Sequence, residues 1–448
     1  MAADSYFPTW RAKDVHARDV MGETTDVMPD ERLPAGQTVL LGFQHVVAMF
    51  GATALMPILM GFDPNLAIFF SGIGTLIFFV ATGGRVPSYL GSSAAFVGVV
   101  IAATGYAGSG ANPNMAIALG GIIAAGLLYS LVGAVIGLVG YAWVDRLMPP
   151  VVTGAVVAAI GLNLAPIATR IISGSAFDTW FGLMTVVIVS VITIYAPGLA
   201  RRLPILIGAA LAYLLYLLLA NGLGLAKPID FSAVMAAPWI GVPGFVTPVF
   251  DGRAIALIAP VFVVLIAENL GHIKAIGAMT SRNLDPYISR AFLGDGIATM
   301  LSGSLGGTGV TTYAENMGVM AMTRIYSTLV FVVAGITAIL FGLCPKFGAL
   351  ILTLPVPVIG GLSVVVFGLI AATAGRIWVE NRVDFASARN LLTVGVAVVL
   401  GAGDLTLKFG SFAFGGIGTA TFGAILIYHL LGLTRLAGAP ARVGGARA

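Results

Sequence analysis

The sequence predicts an all-α polytopic membrane protein of about fourteen transmembrane spans in two inverted seven-span repeats, with short extended segments in spans 3 and 10. Three features predict it: the composition, the density of long apolar stretches, and a polar interruption after the seventh stretch. Of 448 residues, 58% are hydrophobic and 9% are charged, with mean hydropathy +1.00. A soluble domain carries about 25% charged residues, so this chain lacks the polar groups to cover a water-facing surface. Many apolar stretches approach or exceed the ~20 residues that a spanning helix needs. A transmembrane β-barrel would alternate over ~10-residue strands instead, and no such pattern is present. The 59 glycines and 22 prolines fit membrane helices, where small residues allow close approach and neighbours re-satisfy broken backbone.

Taken in order, residues 1–37 form a polar tail of mixed sign, with Arg11, Lys13, Arg18 and Arg32 against Asp14, Asp19, Asp30 and Glu31. The tail has no apolar h-region and so does not read as a cleaved signal peptide. It is expected to be cytoplasmic, with a short surface helix. Spans follow near 38–60, 66–83, 92–106, 115–140, 150–171, 179–198 and 203–222, which make the first repeat, 38–222. A polar connector, 223–253, comes next. The second repeat, 254–433, holds spans near 254–276, 291–304, 314–324, 327–344, 350–373, 390–402 and 414–433, and a C-terminal tail runs over 434–448. Placing the N-terminus inside leaves only Arg170, Lys227, Arg253, Lys346 and Lys408 of the 23 Lys and Arg on the outer side. Positive residues gather on the cytoplasmic side, so both termini are expected in the cytoplasm of a multi-pass inner-membrane protein. The net charge of +4 thus reports topology, and no nucleic-acid partner is expected.

An odd number of spans per half makes the second half enter the membrane opposite to the first, as in many secondary transporters. The halves match in two ways. Each opens with a span carrying mid-depth polar residues: Gln44 and His45 in one, Glu268, Asn269 and His272 in the other. Each also has a short, glycine-interrupted third span, "RVPSYLGSSAAFVG" at 85–98 and "GGTGVTTYAENMG" at 306–318. Paired broken spans at matching places point to a transporter's substrate site.

Glu268 and His272 lie four residues apart on one helix face, after an apolar turn, "VFVVLIA". Ionisable groups at mid-membrane are expensive and face a cavity or the bundle interior. Burial and neighbouring charge set whether a carboxyl keeps its proton, so Glu268 is suited to hold or release one, with His272 as partner. Glu315 falls in the first turn of a half-helix, after the extended run Val310–Tyr313. Free backbone N–H groups and the positive dipole end favour a carboxylate or a polar ligand there. The matching half-helix after Gly91 offers the Ser92 and Ser93 hydroxyls. Together these make candidate substrate contacts of Glu268, Glu315, Ser93 and Tyr313, and candidate proton-coupling residues of Glu268 and His272.

Weaker polar positions read as structural: Asp295 as a cap or brace, Asn163 as an interhelical hydrogen bond, His429 as packing, Asp404 and Lys408 as a loop pair. Cys344 is the single cysteine, which excludes an intrachain disulfide or a Cys-based metal site. There is no P-loop, no oxygen-rich cation cage and no nucleophile–base arrangement, so no cofactor, metal or enzymatic activity is expected.

The run Glu315-Asn316-Met317-Gly318, continuing to Thr323-Arg324, resembles the signature of the nucleobase–ascorbate transporter family. That signature has Gln, Glu or Pro before Asn-x-Gly and, four residues on, Thr followed by Arg, Lys or Gly. Gln44-His45 resembles the family's motif on its first span, and Glu268…His272 the acidic eighth span of its uracil permeases. Stretches such as "RLMPPVVTGAVVAAIGLNLAPIA" look similar to the Rut-pathway pyrimidine permeases. The resemblance covers residues 38 to 433. It implies a core domain of spans 1–4 and 8–11 moving against a gate domain of spans 5–7 and 12–14, in a homodimer. It further implies that Glu268 and Glu315 bind the base, that His272 serves proton linkage, and that backbone at Ala94 and Ala314 contacts the ring. Gln44, His45, Asn316 and Gly318 are supporting positions by the same resemblance. Where uracil permeases carry Phe and Gly, this chain carries Ala94 and Ala314, which removes a stacking surface and leaves room in the pocket. The expected activity is proton-coupled import of uracil, with thymine beside it. A purine symporter and a passive facilitator are the alternatives, and the expected partners are the base, protons and membrane lipid.

Overall fold

The computed structural model describes residues 6–13, 26–106, 108, 110–197, 203–409 and 412–437. Asp14, Arg18 and Asp19 of the tail, Arg201 and Arg202, and the C-terminal residues from 438 onward lie outside the described residues.

Each expected span finds a helix. The first half holds α1 (Ala35–Met60), α2 (Pro64–Ala81), β1 (Leu90–Ser92), α3 (Ala95–Thr104), α4 (Met115–Val139), α5 (Pro150–Ile172), α6 (Ala176–Tyr195) and α7 (Pro204–Gly222). The second half holds α8 (Gly252–Thr280), α9 (Ile288–Ser304), β2 (Val310–Thr312), α10 (Ala314–Thr323), α11 (Thr328–Gly342), α12 (Val356–Glu380), α13 (Ala388–Ala402) and α14 (Gly416–Ala437). Among the described residues, nine of these helices are long and apolar enough to cross a bilayer by themselves. Local chemistry sets the ends. Asp63 caps α2, accepting from Asn65 N at 2.8 Å, with Pro64 at the first helical position. Ser175 caps α6 in the same way through Asp178 N.

The packing repeats itself with a shift of seven helices. α1 packs on α11 as α8 packs on α4, and α2 on α11 as α9 on α4. In the other group α6 packs on α12 as α13 packs on α5, and α6 on α7 as α13 on α14. The pairs α2–α9 and α5–α12 map onto themselves. The two broken spans meet where a two-fold axis in the membrane plane would put them. β1 and β2 pair antiparallel, Leu90 opposite Thr312, Gly91 opposite Thr311 and Ser92 opposite Val310. The pairing extends on both sides, by Ser93 N to Gly309 O at 2.9 Å and Tyr313 N to Tyr89 O at 3.0 Å.

That crossing requires missing side chains. A Cβ on Gly91 would lie 2.5 Å from Thr53 Oγ1 and from the Tyr313 ring, and one on Gly309 would lie 2.2 Å from the Phe96 ring. Overpacking of this kind costs roughly 1–3 kcal/mol. Gly91→Ala and Gly309→Ala are therefore expected to lower the midpoint of thermal unfolding. Gly318→Ala, where a Cβ meets nothing within 4 Å, is expected to leave it unchanged or slightly raised, since Ala is the better helix former. Equal midpoints for all three would contradict a tight crossing.

Three expectations change. Span 12 does not begin at 350: Pro345–Ile351 forms its own short helix, bent 84° from α11, and α12 starts at Val356. Pro345 cannot donate to the helix before it, so the α-ladder ends there. The tail's described residues make no surface helix. They form a short parallel ladder, Arg11 with Glu31 and Ala12 with Arg32, laid across the helix ends. Tyr6 donates to Val80 O at 2.8 Å, Trp10 Nε1 to Thr328 Oγ1 at 3.0 Å, and Asp30 meets Arg282 at 2.5 Å. Burial alone would push the Asp30 carboxyl up, but hydrogen bonding and the charges of Arg282 and Arg11 outweigh it and hold it below the usual carboxylate range. Finally, the Asp404 carboxylate accepts from Asn163 Nδ2 (3.1 Å) and Gly416 N (3.0 Å), joining α5 to the start of α14 in place of the expected loop pair with Lys408.

Candidate functional site

α3 and α10 both begin at the β1–β2 crossing, so both N-termini lie at the same place halfway along the bundle. The first N–H groups of a helix have no partner within it, and the dipole adds a partial positive charge there. A cavity of about 490 Å³ opens in front of them. One wall carries Ser92, Ser93 and Ala94 from the first crossing segment and Thr311, Thr312, Tyr313, Ala314 and Glu315 from the second. Glu268 enters from α8, and Ala52 and Met56 from α1. Glu268 and Glu315, 47 positions apart in the chain, therefore share one chamber.

The opposite wall is α12. Val366, Ile370 and Thr373, at helical spacing, face the crossing, and Arg376 follows one turn on. Along this face exposure rises from buried Val366 to Arg376, whose side chain is 72% exposed and pairs with Glu380 at 3.2 Å. The chamber therefore opens at the Arg376 end. That end of α12 lies on the same side as the tail, because Trp378 packs on Gly154 and Val151 near the start of α5. It is a vestibule entered from that side.

The polar groups are held from behind. Tyr313 donates to Ser92 O at 2.7 Å, tying the two half-helix starts together. His272 does not line the vestibule; its Nδ1 lies 2.7 Å from Thr312 Oγ1. The Thr312 hydroxyl donates to Asn269 Oδ1, so it accepts from an Nδ1–H of His272. Asn269 Nδ2 reaches both Tyr129 and Asp295 Oδ2. Asp295 is fully buried, and its second oxygen has no partner among the described residues. A hydrogen-bonded chain thus runs from Asp295 on α9 through Asn269 and Thr312 to His272. Asp295 braces helices, as its sequence suggests, but the chain to His272 joins three segments and shows in no local motif. A lone Asp inside "FLGDGIATM" is the one trace of it.

The supporting positions divide. Asn316 is buried and turns away from the vestibule, donating through Nδ2 to His45 O at 3.0 Å with His45 Nδ1 equally close, and so fastens α10 to α1. His45 also packs its ring on Phe331, 4.6 Å away. Gln44 lies off the vestibule with a buried Nε2 that has no partner among the described residues. Gly318 sits on an exposed face of α10. Thr311, Thr373 and Arg376, which no sequence motif marks as site residues, also line the chamber. The Thr311 hydroxyl is buried with no partner among the described residues. No group of three or more His, Cys, Asp or Glu able to hold a metal occurs among the described residues.

The pattern of the Permease family matches residues 36–409 of this chain. RutG of Escherichia coli strain K12, provisionally named a pyrimidine permease, is 62% identical over 425 residues, 95% of each chain. The uracil permease of Bacillus caldolyticus is 39% identical over 416 residues, 90% of this chain and 93% of its own. Among solved structures, the transmembrane domain of the cyanobacterium bicarbonate transporter BicA superposes with a TM-score of 0.60 at 18% identity, over 87% of this chain and 96% of that one. At that identity the likeness concerns the fold, a transporter fold of two inverted repeats. From the family match and the two permeases it follows that this integral membrane protein belongs to the Permease family, the uracil and xanthine permeases among the nucleobase–ascorbate transporters.

Proposed function

We propose that the protein is a proton-coupled importer of pyrimidine nucleobases, uracil first and thymine beside it. The observation that supports it is the vestibule where Glu268 and Glu315 face two helix N-termini. Uracil presents N–H donors and C=O acceptors in one plane. Carboxylates accept from the first, and half-helix amides donate to the second. Recognition by buried polar groups rejects analogues that leave one of them unpaired. Backbone at Ala94 and Ala314, with Ser93 and Tyr313, completes the ring contacts in this reading. The names of the 62% and 39% identical relatives favour the same substrate class.

A neutral base gains nothing from membrane potential alone, so accumulation needs a coupled cation. In this reading Glu268 carries the proton, and His272, seated through Thr312, gives it a partner. The helices α1–α4 and α8–α11 form the core that carries the site, and α5–α7 with α12–α14 form the gate, whose α12 face closes the vestibule. Both termini are cytoplasmic, the membrane is the inner one, and the assembly is a homodimer. The vestibule, opening on the tail side, then faces inward.

The test is uptake of labelled uracil into proteoliposomes with and without an inward proton gradient. Concentrative uptake that collapses with a protonophore is expected. Uptake indifferent to the gradient would remove the coupling and leave a passive facilitator. One observation favours a second reading: Ala94, with no ring to stack, leaves room for a purine. Competition of uracil uptake by xanthine and urate separates the two, and stronger competition by xanthine than by thymine would reverse the assignment.

A further inference from the structure

A second cavity of about 310 Å³ lies back to back with the vestibule. Phe50 and Leu55 of α1 form one side, Ala210 and Leu214 of α7 the other, with Leu350 and Leu362 closing it. Its wall carries a single hydroxyl, on Tyr213, and that one is bonded to Thr353 Oγ1 at 2.8 Å. A space without unpaired polar groups does not retain water; such cavities stay dry or take apolar guests. At the lip, Ala210, Leu214 and Leu350 are exposed. On a membrane-spanning helix an exposed Leu214 means that hydrocarbon lies just outside.

The partition between the two cavities is thin. Gly51 lines the apolar one and Ile205 the vestibule, and a Cβ on Gly51 would sit 2.6 Å from Ile205 Cγ2. The α1–α7 seam is therefore the wall of both spaces.

We propose that this crevice binds an acyl chain of a membrane phospholipid, and that the bound chain sets how far α1 and α7 separate as the vestibule opens and closes. The binding stands on the crevice alone, whereas the effect on opening rests on the transport reading above. A chain entering between Ala210 and Leu350 meets apolar wall on every side and displaces no water. It also props the seam at the one place where the two helices already touch through a glycine.

The experiment reconstitutes the full chain in liposomes containing a phospholipid with a diazirine on its acyl chain, illuminates them, and maps the labelled residues by mass spectrometry. Labelling within 50–55 and 209–214 is expected to exceed that on the lipid-facing surface of α4 at Leu131, Val135 and Leu138, all exposed. Ala210→Trp, which blocks the lip, is expected to abolish crevice labelling and leave α4 labelling intact, while the uptake rate changes and uracil affinity does not. Ala209→Phe, which fills the crevice from within, serves if the first variant does not fold, as judged by size exclusion. Crevice labelling no stronger than that on α4, or labelling that persists in both variants, would overturn the proposal. Specific labelling with no uracil transport by the wild type would overturn the transport reading and leave the lipid site standing.

Discussion

Glu315→Gln is expected to weaken uracil binding to the purified protein by roughly ten- to a hundredfold and to abolish measurable uptake. The substitution keeps shape and volume but replaces an acceptor-only carboxylate with an amide whose NH₂ group can only donate. Facing a base that itself presents N–H donors, the amide either repels it or turns and loses half its partners. A hydrogen bond to a charged group contributes about 1.5–3 kcal/mol, and every 1.4 kcal/mol is about tenfold in affinity. The position magnifies the effect, because Glu315 lies in the first turn of α10, beside Ala314, at the inner end of the vestibule. Loss of charge at the helix N-terminus costs stability as well, about 0.3–1 kcal/mol, so unfolding without ligand is the necessary control. Glu315→Asp keeps the acceptor and the dipole interaction but shortens the reach, and an intermediate affinity is expected. Wild-type affinity in Glu315→Gln, measured by scintillation proximity or ligand-induced thermal shift, would remove Glu315 from the site.

Much of this architecture is legible in the chain because a membrane restricts what a helix can be. Spans are long and apolar, and the odd one stands out: a glutamate inside "TTYAENMG" needs a reason, and the β1–β2 crossing supplies one. The extended character of Val310–Tyr313 is readable locally. Its pairing with Leu90–Ser92 is not, since the partners lie 220 positions apart and each run is three residues long. The break at Cys344-Pro345 is not legible in the sequence, because hydropathy continues across it while the backbone ladder does not. Asp295 shows the same limit from another side. Its sequence neighbourhood is that of a helix brace, and its chemistry depends on Asn269 and Thr312 arriving from two other segments. The face of α12 is hidden in the sequence for a simpler reason. Thr373 and Arg376 sit near a helix end, where polar residues are ordinary, and only the facing half-helices make them part of a chamber.

Glu268→Gln is expected to separate binding from driving force. In the proposed cycle Glu268 takes a proton from outside and gives it up inside, so a permanently neutral Gln at this place leaves a vestibule that still accepts uracil but has no proton to exchange. A gradient of one pH unit is about 1.4 kcal/mol per proton, enough for about tenfold accumulation at one proton per base. The wild type is therefore expected to concentrate labelled uracil about tenfold under that gradient, and Glu268→Gln to stop at equal concentrations on the two sides. Counterflow, in which unlabelled uracil preloaded inside exchanges for label outside, needs binding and movement but no net proton transfer, and it is expected to persist in the variant. His272→Gln gives the complementary case. Among the described residues His272 reaches the vestibule through Thr312 Oγ1, so its loss is expected to shift the pH dependence of uptake more than uracil affinity. Glu268→Gln that still concentrates uracil against its gradient would show that the proton travels elsewhere, and Asp295, buried at the far end of the chain through Asn269, would be the next residue to change. Loss of counterflow together with accumulation would instead make Glu268 a binding residue first, since a neutral side chain that cannot bind the base cannot report on coupling at all.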